Sequence, residues 1–176
     1  MLFALLFRLA WGFLGSSTAR FSQFVRGPRA MLRYLRGGAR WERAGHNPIG
    51  ALSVMILLLL LAAQVAFGLV LTDDDGLVSG PLAGLVSIDS SELANELHKD
   101  NFDLLLPIIG IHVAAIFFYW AACRMSLTRP MITGKAELDP SVEPMRPAPA
   151  GRAWISAAAA LGLTAWVVAG VPPFGP

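Results

Sequence analysis

The stretch Leu97–Cys123, LHKDNFDLLLPIIGIHVAAIFFYWAAC, carries two of the three histidines of the chain, His98 and His112, at the start and in the middle of a long apolar run. A helix of about 3.6 residues per turn brings position i+14 back to within about 40° of position i, so both imidazoles can share one face, about 21 Å apart along the axis. Histidines inside a membrane are costly and usually serve a function. The stretch therefore predicts a membrane helix with a functional pair of histidines.

Three segments are long enough to cross a bilayer: Ile49–Leu71, Phe102–Cys123 and Ala153–Val171. The first has 23 residues, or about 34 Å of helix, which exceeds a hydrocarbon core of about 30 Å. Met1–Leu14 is apolar apart from Arg8, but it covers only about 21 Å. It is expected to be the last part of a spanning helix whose beginning is missing.

Composition sets the fold class. Hydrophobic residues make up 55% of the chain and lie in blocks, which is typical of a membrane protein. We expect an all-α integral membrane protein, an up-and-down transmembrane helix bundle of three full spans and an N-terminal partial span. The single cysteine, Cys123, excludes an internal disulfide and a CxxCH attachment site.

The distribution of charge predicts the topology. Residues 15–48 contain seven Arg and one Glu, residues 72–103 contain eight acids and one Lys, and residues 124–152 contain five basic and three acidic residues. Short cytoplasmic loops carry the excess of Lys and Arg. Loops 15–48 and 124–152 are therefore predicted to be cytoplasmic, and loop 72–101 periplasmic, in a bacterial plasma (inner) membrane.

The loops themselves offer few sites. Arg20–Arg43 is basic with interleaved aromatic residues; nucleic-acid binding is one interpretation, but its membrane flanks favour a short amphipathic helix on membrane lipid and no nucleic acid. Asp73–Asp75 lacks the spacing of a calcium loop and indicates a solvated turn. Pro140–Pro149 predicts a proline-rich linker.

The histidines leave alternatives open. His112 lies deep in a span, where it could ligate haem iron or simply hydrogen-bond another helix, and His98 could be a hydrated residue at a helix start. Two on one face, at opposite levels of the bilayer, is an arrangement that would hold two stacked b-type haems. His46, just before a span, could be a capping residue or a functional one. The sequence has no HExxH, P-loop or GxGxxG motif, and no catalytic residue is predicted.

Four stretches then carry a resemblance: RLAWGFLGSSTARFSQFVRGPRAMLRYLRG at 8–37, GHNPIGALSVMILLLLLAAQVAFGL at 45–69, ELHKDNFDLLLPIIGIHVAAI at 96–116, and LTRPMITGKAE at 127–137. In this order they resemble the bacterial di-haem membrane cytochrome b family, which includes the b-type cytochrome subunits of nickel–iron hydrogenases and the prokaryotic cytochrome b-561 type. The resemblance implies a domain at 1–137, a linker at 138–152, and an extra C-terminal helix with a short tail at 153–176.

The resemblance also implies a function and a ligand set. Members pass electrons between a redox partner subunit, such as a hydrogenase or another oxidoreductase, and membrane quinone. Their fourth helix supplies one axial ligand to each of two haems, which maps to His98 and His112; His46 matches a characteristic histidine that is not clearly an iron ligand. The family's other ligands lie upstream of the stretch that matches Met1, so the ligand set here is expected to be incomplete and the chain truncated. The alternative is a non-redox membrane anchor or scaffold descended from such a cytochrome.

Overall fold

The computed structural model describes residues 1–25, 27–37, 45–122, 124, 126–135, 140, 142 and 144–170. This part of the chain contains seven α-helices. Three of them are long and apolar enough to cross a membrane, a shorter apolar helix precedes them, and these ranges contain no strand, so the predicted all-α membrane bundle is confirmed. The helices are α1 (Leu2–Leu14), α2 (Phe21–Phe24), α3 (Pro28–Leu35), α4 (Pro48–Val70), α5 (Ile88–Ala121), α6 (Thr128–Thr133) and α7 (Ala150–Val168).

Two helix pairs build the bundle. Helix α4 packs along α5, α1 packs along α7, and α1 joins the two pairs through contacts with α4. Helix α4 begins as predicted: the Asn47 side chain accepts a hydrogen bond from the Gly50 N–H, and Pro48 occupies the first turn. We call the end of the bundle where α4 begins and α1 and α5 end the basic end, and the opposite end the acidic end.

Helix α5 is longer than the sequence pattern predicted. The span was expected to begin at Phe102 after a loop that reached residue 101, but α5 begins at Ile88, with the Ser87 side chain accepting a hydrogen bond from the Ser90 N–H. Its 34 residues measure about 51 Å, well beyond a hydrocarbon core of about 30 Å. The helix runs on through Pro107. Residues 88–101 are therefore a helical extension of the span and not part of the loop.

A short hairpin, residues 71–82, closes the acidic end. The Gly80 N–H donates to the Leu71 carbonyl at 2.8 Å, and the Leu82 N–H donates to the Leu69 carbonyl at 2.8 Å. Asp74 ties the hairpin to α5, because its carboxylate accepts from Asn95 Nδ2 and Lys99 Nζ, each at 2.6 Å. The Lys99 hydrogen bond and charge hold the pKa of Asp74 below its ordinary value.

The basic segment folds as two short helices where one was predicted. Helix α2 ends at Phe24, and α3 starts afresh at Pro28, since a proline cannot continue a preceding helix but is well placed in a first turn. Arg26 and residues 38–44 lie outside the described residues.

The C-terminal linker returns to the first loop. Arg146 and Ser17 exchange two hydrogen bonds: the Ser17 N–H donates to the Arg146 carbonyl at 3.0 Å, and the Arg146 N–H donates to Ser17 Oγ at 2.9 Å. Helix α7 follows from Ala150, three residues before the predicted start at Ala153. Cys123, part of the predicted linker (residues 138, 139, 141 and 143) and the tail 171–176 lie outside the described residues, and the division at 137, 138–152 and 153–176 stays a prediction.

Candidate functional site

The interface between α4 and α5 carries a ladder of polar and small residues. From the basic end, Asn47 Nδ2 donates to the Tyr119 hydroxyl at 3.0 Å, and Ser53 Oγ lies 2.9 Å from His112 Nδ1. Nearer the acidic end, Asn101 Nδ2 donates both to Gln64 Oε1 and to the Leu60 carbonyl. Gly68 then lies against His98. Antiparallel pairing of the two helices brings these residues to matched depths, and both predicted histidines fall on the face of α5 that packs on α4.

His112 is half-buried, and one of its ring nitrogens already has a partner. The 2.9 Å contact joins Nδ1 to the Ser53 hydroxyl. With Nδ1 as the donor, the ring is held in one orientation and Nε2 is left with its lone pair free. This is the arrangement of a metal-ligating histidine, which almost always donates its other ring N–H to a neighbouring acceptor.

His98 is positioned by close approach instead of by a hydrogen bond. A Cβ added at Gly68 would lie 3.1 Å from His98 Cε1 and 3.4 Å from Nδ1. Any residue larger than glycine at position 68 would therefore press against the His98 ring. Its Nδ1 is enclosed by protein and has no hydrogen-bond partner. A buried polar atom without a partner is costly, so His98 is held in this position at an energetic cost.

His46 joins the basic end of this ladder. It precedes α4, its ring centroid lies 5.1 Å from that of Phe24, and its Nδ1 is enclosed without a partner. Burial lowers the pKa of His46, and the positive charge of Arg8 lowers it further. Because His46 comes just before α4, whose Ser53 contacts His112, the structure brings His46 and His112 into one neighbourhood and leaves His98 at the other end.

Sequence reasoning missed the Gln64–Asn101 pair and Ser53. Gln64 is only 5% exposed. A signal was present, because an amide side chain inside an apolar span is expensive unless another helix satisfies it. Pairing two such residues requires the register of α4 against α5, which a single span does not give.

A comparison with known families decides the class of protein. The family model of prokaryotic cytochrome b561 matches residues 1–134. The chain belongs to the prokaryotic cytochrome b561 family. No curated protein and no solved structure matches the chain. Membership makes it a membrane protein of the bacterial inner membrane that binds b-type haem and transfers electrons.

Haem is the cofactor that this family implies, and the imidazoles on α5 that would hold it are His112 and His98. Near the basic end, a hydrogen bond from His112 Nδ1 to Ser53 would leave Nε2 free, and near the acidic end the missing side chain of Gly68 allows the His98 ring to approach α4 closely. Haem iron needs protein ligands only along its axis. Within the described ranges, no group of three or more His, Cys, Asp or Glu side chains is placed to hold a metal ion. The expectation that further ligands are encoded before Met1 stays a prediction.

Proposed function

We propose that this cytochrome b561 carries two b haems, one ligated by His112 near the basic end and one by His98 near the acidic end, and passes electrons between a redox partner subunit and the quinone pool. The observation that carries the proposal is the pair of half-buried imidazoles on one face of α5. His112 contacts the Ser53 hydroxyl of α4, and His98 packs closely against Gly68 of the same helix. When bound, haem supplies the one-electron chemistry, while the protein supplies ligands, orientation and dielectric.

The ligand count constrains the proposal. Two haems that were each held by two histidines would need four imidazoles, and the chain has three histidines. His46 precedes α4, whereas His98 lies against Gly68 near the other end of that helix. In that case another residue type or another polypeptide would supply at least one ligand. His46 remains a candidate second ligand near His112. It comes just before α4, whose Ser53 contacts His112, and its Nδ1 has no hydrogen-bond partner.

The spectrum of the haem tests the proposal directly. Reduced-minus-oxidised difference spectra of membranes containing the wild-type chain should show b-type bands. His112→Ala and His98→Ala should each remove a separate part of that signal, and a matched control, Ile109→Ala on the same helix, should remove none. A wild-type chain that is inserted in the membrane but gives no haem absorbance would contradict the proposal and favour a non-redox anchor or scaffold.

We also propose the orientation of the chain. The excess of arginine and lysine in loops 15–48 and 124–152 favours the cytoplasm for the basic end and the periplasm for the hairpin at 71–82. Electrons then cross between the two faces of the membrane along α5. Alkaline phosphatase fused after the hairpin should be active, and the same enzyme fused after α6 should be inactive; the reverse pattern would invert the proposed topology.

This orientation supports a proposal for the chemical classes of the partners, but not for individual proteins. A hydrogenase or another oxidoreductase subunit at the acidic end, and a quinone within the bilayer, are the partners we propose for the two haems. In membrane vesicles that contain the chain, an added quinol should reduce the haems. A soluble donor subunit should reduce them from the periplasmic side. Reduction by neither would remove the quinone and the donor from the proposal and leave the haem assignment to the spectra.

A further inference from the structure

Arg8 is the single charged residue of α1, and no carboxylate of the described residues pairs with its charge. The residue is half-buried, and Nη1 is enclosed by protein without a hydrogen-bond partner. Its guanidinium carbon lies 5.3 Å from the centroid of the Phe21 ring. Among the described residues the one ion pair is Lys99–Asp74, at the opposite end of the bundle. A guanidinium has five N–H donors and is costly inside a membrane unless it is paired.

The aromatic residues beside Arg8 connect it to His46. Gly12 is buried and allows the Phe21 ring to approach so closely that a Cβ there would overlap it. The Phe21 ring lies 5.8 Å from that of Phe24, which in turn lies 5.1 Å from the His46 ring. The result is an apolar wall between α1 and the start of α4.

Three nitrogen atoms beside this wall are enclosed and without partners: Arg8 Nη1, Arg20 Nε and His46 Nδ1. Two of them belong to guanidinium groups, which are always charged donors. His112 lies near the same end of the bundle, because His46 comes just before α4 and Ser53, seven residues further along, contacts His112 Nδ1 at 2.9 Å. Arg20 directly precedes Phe21, whose ring contacts Arg8, so two guanidinium groups with unsatisfied donors lie beside this wall and indicate a site for an anion.

We propose that Arg8, with Arg20 nearby, binds the propionate carboxylates of the haem that His112 ligates. The inference rests on the proposed function. A lipid phosphate has the same anionic oxygens, but Arg8 lies six residues before the end of α1, about 9 Å inside the helix end. That depth, and the closeness of His112, favour a carboxylate that belongs to a group held inside the bundle.

Removing the charge of Arg8 tests the proposal in the haem-loaded chain. Arg8→Gln should lower the midpoint potential of the basic-end haem, because loss of a nearby positive charge favours ferric iron, and should raise the dissociation constant for haem by roughly tenfold or more. Arg8→Lys should keep the potential closer to the wild type. The matched control Arg29→Gln, on the exposed face of α3, should change neither quantity.

A second measurement keeps the test independent of folding in the variant. Haem dimethyl ester, whose propionates are uncharged, should bind wild-type chain more weakly than haem does, and this difference should shrink in Arg8→Gln. Equal affinity of the wild type for haem and its ester at the His112 site, or an unchanged potential in Arg8→Gln, would overturn the inference while the spectra still uphold the proposed function. Loss of a co-purified phospholipid from Arg8→Gln with the potential unchanged would assign the site to a lipid instead. A wild-type chain that takes up no haem would overturn both proposals.

Discussion

Replacing Ser53 with Ala removes the hydroxyl that lies 2.9 Å from His112 Nδ1. A hydrogen bond between membrane helices is worth about 0.6 kcal/mol on average, so the α4–α5 pair should lose little stability. Loss of the partner of a metal-ligating histidine typically weakens metal binding about 10- to 100-fold. This corresponds to about 1.4–2.8 kcal/mol. If His112 ligates iron, Ser53→Ala should therefore weaken haem binding by several times the free energy that it removes from the fold.

Titration of the detergent-purified chain with haem, followed by the Soret absorbance, measures this difference. Ser53→Thr retains a hydroxyl and should bind haem nearly as the wild type does, whereas His112→Ala should lose the basic-end site. Unfolding of the haem-free proteins in denaturant gives the effect on the fold. If Ser53→Ala binds haem with wild-type affinity while the haem-free chain loses the expected stability, the contact is an ordinary interhelical hydrogen bond and the ligand assignment of His112 is wrong.

Three further perturbations probe the remaining levels of the helix pair. Gly68→Ala places a Cβ 3.1 Å from the acidic-end imidazole and should weaken haem binding there, whereas Gly110→Ala, with open space around it, should not; equal spectra would contradict this. Asn101→Leu leaves the Gln64 amide unsatisfied and should cost about 0.6–1.7 kcal/mol of unfolding free energy, and a double-mutant cycle that shows no coupling would refute the pair. Because the pKa of Asp74 is lowered in the folded chain, its tie to α5 should stabilise the hairpin above pH 3.8 and be lost as the pH falls through the lowered pKa. Hydrogen exchange of residues 71–82 should show that loss in the wild type, and a similar loss in Asp74→Asn would rule it out.

The spans were predictable because a bilayer demands continuous apolar runs, and α4, α5 and α7 each contain one. The start of α5 was not predictable in the same way. Residues 88–101 carry five charged side chains, and hydropathy indicates which residues lie in the membrane, not where a helix begins. The cap at Ser87 and the contacts of Ser91 and Asn95 with the hairpin fix that start, and these depend on the tertiary fold.

The shared helix face of His98 and His112 was predictable, but the surroundings of the two side chains were not. A spacing of fourteen residues was enough to place His98 and His112 on one face of a helix. Their neighbours, Ser53 and Gly68, become neighbours only through the antiparallel register of α4 on α5. A slip of one residue would shift that register by about 1.5 Å and turn the facing side chains by about 100°, so no local pattern in α4 identifies them.

Helix α5 holds both histidines in one unbroken backbone. The distance between them is therefore set by the helix backbone and not by how neighbouring helices pack. Small movements of the helices against each other change the tilt of each ring more than this distance. Under the proposed function, this fixed spacing would set the distance over which an electron passes between the two haems. Substitutions between the histidines leave the spacing unchanged, whereas deletion of a single residue would turn one imidazole by about 100° away from its partner's face.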